Sequence, residues 1–488
     1  MKKINLLFTV ALLVGFLACT NDNDLKSVVE NSTILKKGSG EAIEYPFADS
    51  LALKSFSKEK DIVDYEFARK LTLLELKECG FEENMNWTGC TLSKLPIVFF
   101  DFKSTPRFYD FIVYDAESKP IGKVTAYAQK KASTVIKSVS SEIPSYSETL
   151  TKFGNDNYQF FTDWMGNQYV GEVGKTNAKP NKVFNIITKS LMPQAELSEL
   201  DDREILDYVG NEVLPQLVAK PQDDAFRNVP EALLADDEIR DEIEISKNFT
   251  VEQMKDSMET ALVKMEKEAQ IYWNTLTEQE QEILNTSDAE ISNPDSKFLG
   301  RFFRRIFSGV DTSPHWIDKY ENTPRFNPTN NGTLWCGPWV ASYILYANQN
   351  VDKYMFFEGC AATYGELGIG NILLKLFGKP LTPVEMSWSM PIASGGKIWI
   401  NPMLMFADLC AYDQIKHYKK PALRLCAISG SLHWTLAYAT KQTGNWLWRN
   451  YYFVQRDNGT LVGKSNTIHN DSHYTCVDWW NPWLMVWD

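Results

Sequence analysis

The sequence predicts an α+β protein, and three observations carry that prediction. Runs rich in aromatic and β-branched residues alternate with turn residues between 95 and 127, as antiparallel strands do. Apolar residues recur at three- and four-residue intervals around 66–81 and 254–269, as amphipathic helices require. All five histidines and twelve of the fifteen tryptophans lie at position 315 or later, so the C-terminal third has a chemistry of its own. A length of 488 residues suggests about two to four domains. A composition of 44% apolar and 23% charged residues is that of a folded chain. The net charge of -13 argues against a broad nucleic-acid-binding surface.

The chain opens with Lys2 and Lys3 ahead of an apolar run, Leu6 to Ala18, which is too short for a comfortable membrane span. Residues 1–18 therefore read as a signal peptide. The segment Phe16-Leu17-Ala18-Cys19 resembles the lipobox of bacterial lipoproteins, with Phe16 in place of the usual aliphatic residue. That resemblance implies lipidation of Cys19, a membrane anchor, and export to the outer membrane or cell surface. Residues 19–60 follow as a polar leader. Setting Cys19 aside leaves seven cysteines, an odd number; Cys79 and Cys90 are close enough in sequence for a local bridge.

Residues 61–184 read as an α+β unit. Its helix covers EFARKLTLLELKECGF, and its strands cover 95–100, 108–114 and 121–127, with a turn at Asp115–Pro120. From 185 to 300 the chain becomes helical and acidic. Thr250 and Gln253 can form a capping box, followed by Met254, Met258, Leu262 and Met265 on one helix face. The acidic residues 236–244 lack the spacing of a calcium loop and fit a solvated face better.

Residues 301–488 contain the segments suited to chemistry. Cys336-Gly337-Pro338 ends a polar stretch and starts an apolar helical pattern, with Pro338 in the first turn. A cysteine there gains thiolate stabilisation from free amides and the helix dipole. His433 follows a small-residue turn at the head of a strand and is placed to act as a base. A returning strand, Trp446 to Val454, leads to Asp457. His315 reads as surface or packing and His417 as solvated. His469, His473 and Cys476 have ligand-like spacing, but a polar hairpin loop is the simpler reading.

The order Cys, His, then Asp or Asn resembles the papain-like cysteine peptidases, particularly their streptopain-like and staphopain-like bacterial branches. The resemblance implies a papain-like catalytic domain in which Cys336 is the nucleophile, His433 the base and Asp457 the residue that orients the imidazole. Trp480-Asn481-Pro482-Trp483 resembles the staphopain-like segment that carries the orienting Asn, which makes Asn481 the rival for that role. The family's oxyanion Gln is absent, and Asn330 or Asn331 is the nearby amide. The 61–184 unit resembles the propeptides of streptopain-like enzymes; a pro-segment is one reading of it and a permanent substrate-docking domain the other.

Two functions follow as expectations. The first is a cysteine peptidase acting on a peptide or protein substrate without a cofactor or metal. The second is a non-catalytic surface lipoprotein that binds peptide or glycan on a degenerate papain-like fold. The oligomeric state has no signature in the sequence.

Overall fold

The structure, a computed structural model, describes residues 45–56, 59, 61–146, 149–150, 158–164, 166–172, 182–186, 190–193, 199–215, 250–292, 311–323, 336–349, 386, 390, 394, 397–400, 408–428, 431–445, 447–456, 473–476, 481 and 483–487. Within these it is an α+β protein, with helices set against one large mixed sheet.

The N-terminal part begins with α1 (Ser50–Phe56) and α2 (Tyr65–Glu78). Asp64 caps α2, its carboxylate accepting from the Glu66 and Phe67 amides at 2.9 and 3.1 Å. Gly80 turns the chain in the left-handed region, at φ 67°, into the single turn α3 (Phe81–Asn84). Strands β1 (Thr91–Leu92), β2 (Ile97–Phe100), β3 (Pro106–Tyr114), β4 (Pro120–Tyr127) and β5 (Ile136–Ser140) follow. The β3–β4 turn closes on Asp115, whose carboxylate accepts from the Glu117 and Lys119 amides. Gly122 in β4 has no alternative: a Cβ there would lie 2.2 Å from the Trp87 ring and 2.5 Å from the Ser140 carbonyl oxygen. Strands β6 (Tyr158–Thr162), β7 (Gln168–Glu172), β8 (Lys182–Asn185) and β9 (Ser190–Pro193) extend the sheet outward. The β2–β6 pairing is parallel, whereas the neighbouring pairings are antiparallel.

The middle helices are α4 (Asp202–Tyr208), which runs into a π turn at Val209–Val213, α5 (Val251–Thr277), α6 (Glu280–Asn285) and α7 (Asp288–Ser292). The Thr250–Gln253 capping box forms, with each side chain bonded to the other residue's amide. Met254, Met258 and Leu262 are buried, so this stripe serves as core.

The C-terminal part contains β10 (His315–Trp316), α8 (Asp318–Asn322), α9 (Cys336–Gln349), β11 (Trp399–Ile400) and α10 (Asp408–Lys416). Strands β12 (Ala422–Ile428), β13 (Ser431–Gly444), β14 (Arg449–Arg456), β15 (His473–Cys476) and β16 (Trp483–Trp487) complete it.

The sheet runs β11-β16-β12-β13-β14-β15-β5-β4-β3-β2-β6-β7-β8-β9. Strand β15 joins the C-terminal strands to the N-terminal ones, pairing with β14 on one side and β5 on the other. A polar hairpin loop fitted the sequence of residues 473–476; they form a strand because both edges find partners. One apolar core runs continuously from Leu53 to Val486, and a smaller one fills the other face of β2, β3, β6, β7 and β8. Cys79 and Cys90 are both free thiols, so the bridge suggested by their spacing does not form. Cys90 sulfur instead lies 3.7 Å from a Glu82 carboxylate oxygen.

Candidate active site

Cys336 is the first residue of α9 and is buried, with 3% of its surface exposed. The helix forms because Val340, Ile344 and Leu345 supply an apolar run without a breaker after Pro338. Trp339 and Tyr343, one turn apart, are stacked 5.2 Å between ring centroids at 7°. A thiol at this position meets amide groups that have no partner within the helix, at the positive end of its dipole. Helix α9 packs on β13, the strand whose third residue is His433. In that ladder His433 pairs with Cys426 of β12.

The antiparallel register gathers several chain ends at one end of the sheet. Ile428 near the end of β12 pairs with Ser431 at the start of β13. Arg456, the last residue of β14, pairs with Leu436. Trp483, the first residue of β16, pairs with Arg424. Asn481, 2% exposed, stands two residues before β16. Strand β16 is separated from β13 by β12, whereas β14 is the direct neighbour of β13. Asp457, next in sequence after β14, lies outside the described residues, as do Asn330 and Cys19.

Arg456 is the link that residue patterns did not identify. Its guanidinium is buried and donates to the carbonyl oxygens of Tyr320 and Thr323 at 2.9 and 2.7 Å, and to the Tyr343 hydroxyl. It also lies over the Tyr438 and Tyr343 rings at 4.8 and 5.3 Å. One side chain thus fastens the end of β14 to helix α9. The only local signal was an arginine closing a strand whose centre, Tyr451 to Val454, is apolar and aromatic.

Across the sheet, Thr435 donates to Gln455 at 2.7 Å, and Trp483 Nε1 donates to Asp408 at 2.9 Å. Burial pushes the Asp408 carboxyl up to about 6, against the opposing pull of Trp483 and the Arg424 charge. Among the described residues, Arg424 Nε and Nη1 and Gln455 Nε2 are buried without a hydrogen-bond partner.

The remaining histidines serve other ends. His315 Nε2 lies 3.0 Å from Asp311, with burial the main force lowering its pKa. His417 is exposed, 3.6 Å from Asp413. His473 and Cys476 fall on β15, while His469 lies outside the described residues. Among the described residues no group of three or more His, Cys, Asp or Glu side chains is arranged to hold a metal ion. No described helix is long and apolar enough to cross a membrane.

A cleft of about 580 Å³ opens elsewhere, between β3, α4, α5 and the Asp408–Tyr451 side of the C-terminal part. Glu199 lines it, 3.1 Å from Arg107, and burial pushes its carboxyl up to about 7. Neither Cys336 nor Asn481 lines this cleft.

No protein-family model matches the chain, no curated protein is significantly similar to it, and no solved structure matches its fold.

Proposed function

We propose that the chain is a papain-like cysteine peptidase in which Cys336 attacks a peptide carbonyl and His433 serves as acid and base. The observation that carries this reading is the packing of α9, which opens with Cys336, on β13, which bears His433. The Cys336 thiolate adds to the carbonyl carbon, and the developing oxyanion faces amides at the helix start. Protonated His433 then gives its proton to the leaving amine as the C–N bond breaks. In the second half His433 takes a proton from water, the resulting hydroxide displaces the thiolate, and the acid product leaves. Asp457 is favoured to orient the imidazole because it follows the strand that pairs directly with β13; Asn481 precedes a strand one further away. Lipidation of Cys19 would tether the enzyme to the outer membrane or cell surface, with peptides or proteins as substrate.

The burial of Cys336 favours a second reading, a non-catalytic lipoprotein that binds peptide or glycan on the same framework. An electrophilic peptide probe separates the two. The peptidase reading expects stoichiometric labelling that Cys336→Ala abolishes and His433→Ala slows at least about a hundredfold, the scale of a lost general base. Labelling equal in wild type and His433→Ala removes the histidine from the mechanism, and folded protein that never labels supports the binder. Loss of membrane association in Cys19→Ser tests the anchor separately.

A further inference from the structure

The surface joining the N-terminal and C-terminal parts is built as an interior. Strand β15 supplies a ladder to β5 through Ser140, Val139 and Ser138, while its other edge is held by β14. Without β5, the C-terminal strands would end in a bare edge; without β15, the N-terminal sheet would do the same.

Behind this ladder lies a buried polar knot. Glu75 of α2 is 2% exposed and accepts from the Thr134 hydroxyl, the Val135 and Ile136 amides and the Tyr272 hydroxyl of α5. Among the described residues no lysine or arginine forms an ion pair with it, and burial raises its pKa. Four donors occupy the lone pairs of this carboxyl group where it is sealed from water. Tyr452 of β14 closes the knot from the C-terminal side, donating to the Ile136 carbonyl oxygen at 2.7 Å and meeting Thr134 at 2.9 Å. Asn450 adds two bonds to Ser133, at 2.8 and 2.9 Å.

Apolar contacts seal the same junction. The Phe81 ring meets Tyr452 and Tyr474 edge-on at 5.0 and 5.8 Å, and Tyr272 meets Trp448 at 5.7 Å. Lys441 of β13 is fully buried, lies 5.3 Å from the centre of the Phe81 ring, and donates to the Thr312 carbonyl oxygen. Three segments, from the N-terminal sheet, α5 and the C-terminal strands, thus share one buried core.

We infer that the N-terminal α+β unit is a permanent partner of the C-terminal unit, held on the β15 edge and the Tyr452 face after the connecting chain is cut, and is not a segment released on maturation. The inference does not depend on the role of Cys336. Should the peptidase reading hold as well, activation proceeds with the N-terminal unit still in place.

The test uses the full chain with a specific protease site inserted within 293–300, cut after folding. The two fragments should co-elute as one species in native buffer and separate only in denaturant. In the cut protein Tyr452→Phe should speed separation about tenfold, the worth of one net buried hydrogen bond. Fragments that separate in native buffer, with the C-terminal one keeping a sharp unfolding transition, overturn the proposal. Native-state hydrogen exchange on the uncut chain decides it independently of cutting. Amides of β4 and β13 should open with the same free energy, and two distinct opening energies would overturn it.

Discussion

Asp110 and Glu75 are both carboxylates sealed in the interior, and the chain accommodates them in opposite ways. Asp110, wholly inside the N-terminal sheet, meets the Lys123 ammonium at 2.6 Å, the Thr125 hydroxyl at 2.6 Å and the Tyr146 hydroxyl at 2.9 Å. Glu75, where three parts of the chain meet, takes only neutral donors, and burial raises its pKa. A counter-charge within one sheet is fixed by strand register and can be brought close reliably. A junction assembled from distant segments is safer with neutral donors, because a misplaced cation there would leave two buried charges unpaired.

The largest expected effect comes from Asp110→Ala. It strands the Lys123 ammonium in the interior and should cost about 3–5 kcal/mol in urea unfolding. Glu75→Ala removes the acceptor of four donors and should cost about 3 kcal/mol, whereas Glu75→Gln should cost about 1 kcal/mol or less. If Gln proves as damaging as Ala, Glu75 is ionised and the contrast with Asp110 collapses. The same contrast has a pH signature. Burial raises the folded pKa of Glu75 above its unfolded value near 4.5, so stability should fall as pH rises from 4.5 through that higher folded value. Glu75→Gln should flatten that slope in melting curves taken across the acid range.

Arg456→Met extends the comparison to the Cys336 end of the sheet, where a cation is deliberately buried. It leaves the Tyr320 and Thr323 carbonyl oxygens short of a donor and should cost about 2 kcal/mol. On the peptidase reading it should also slow Cys336 labelling more than it slows refolding, since α9 is fastened to β14 through it. Thr250→Ala, which removes a cap far from both regions, should cost about 1 kcal/mol and leave labelling unchanged. Glu199→Gln is the smallest change at neutral pH. Glu199 loses its proton near 7 when folded and near 4.5 when unfolded, so the variant should lack the stability loss that wild type shows between those values.

Much of the fold was legible where the signal is local. The aromatic strands from 97 to 127 and the Thr250 capping box emerge as read because their causes lie within a few residues. The same holds for Cys336, whose place at a helix start follows from the residues beside it. Strand β15 was not legible: Tyr474 and Thr475 favour a strand, but a run of four residues among polar neighbours is too short to read, and its pairing comes from two distant ladders. Arg456 and Asp408 were missed for a related reason. Their partners, Tyr320 and Trp483, are 136 and 75 residues away, beyond any pattern a window can read.

The position of β15 also sets a timetable for folding. The bond from Ser133 to Asn450 spans 317 residues, and β15 itself is made later still. During synthesis β5 has β4 on one side and waits, edge open, until nearly the whole chain exists. Contacts of such long range close slowly, and an open edge strand invites foreign strands meanwhile. A truncation that removes β15 should therefore cause aggregation that begins at β5, more than 300 residues earlier in the chain.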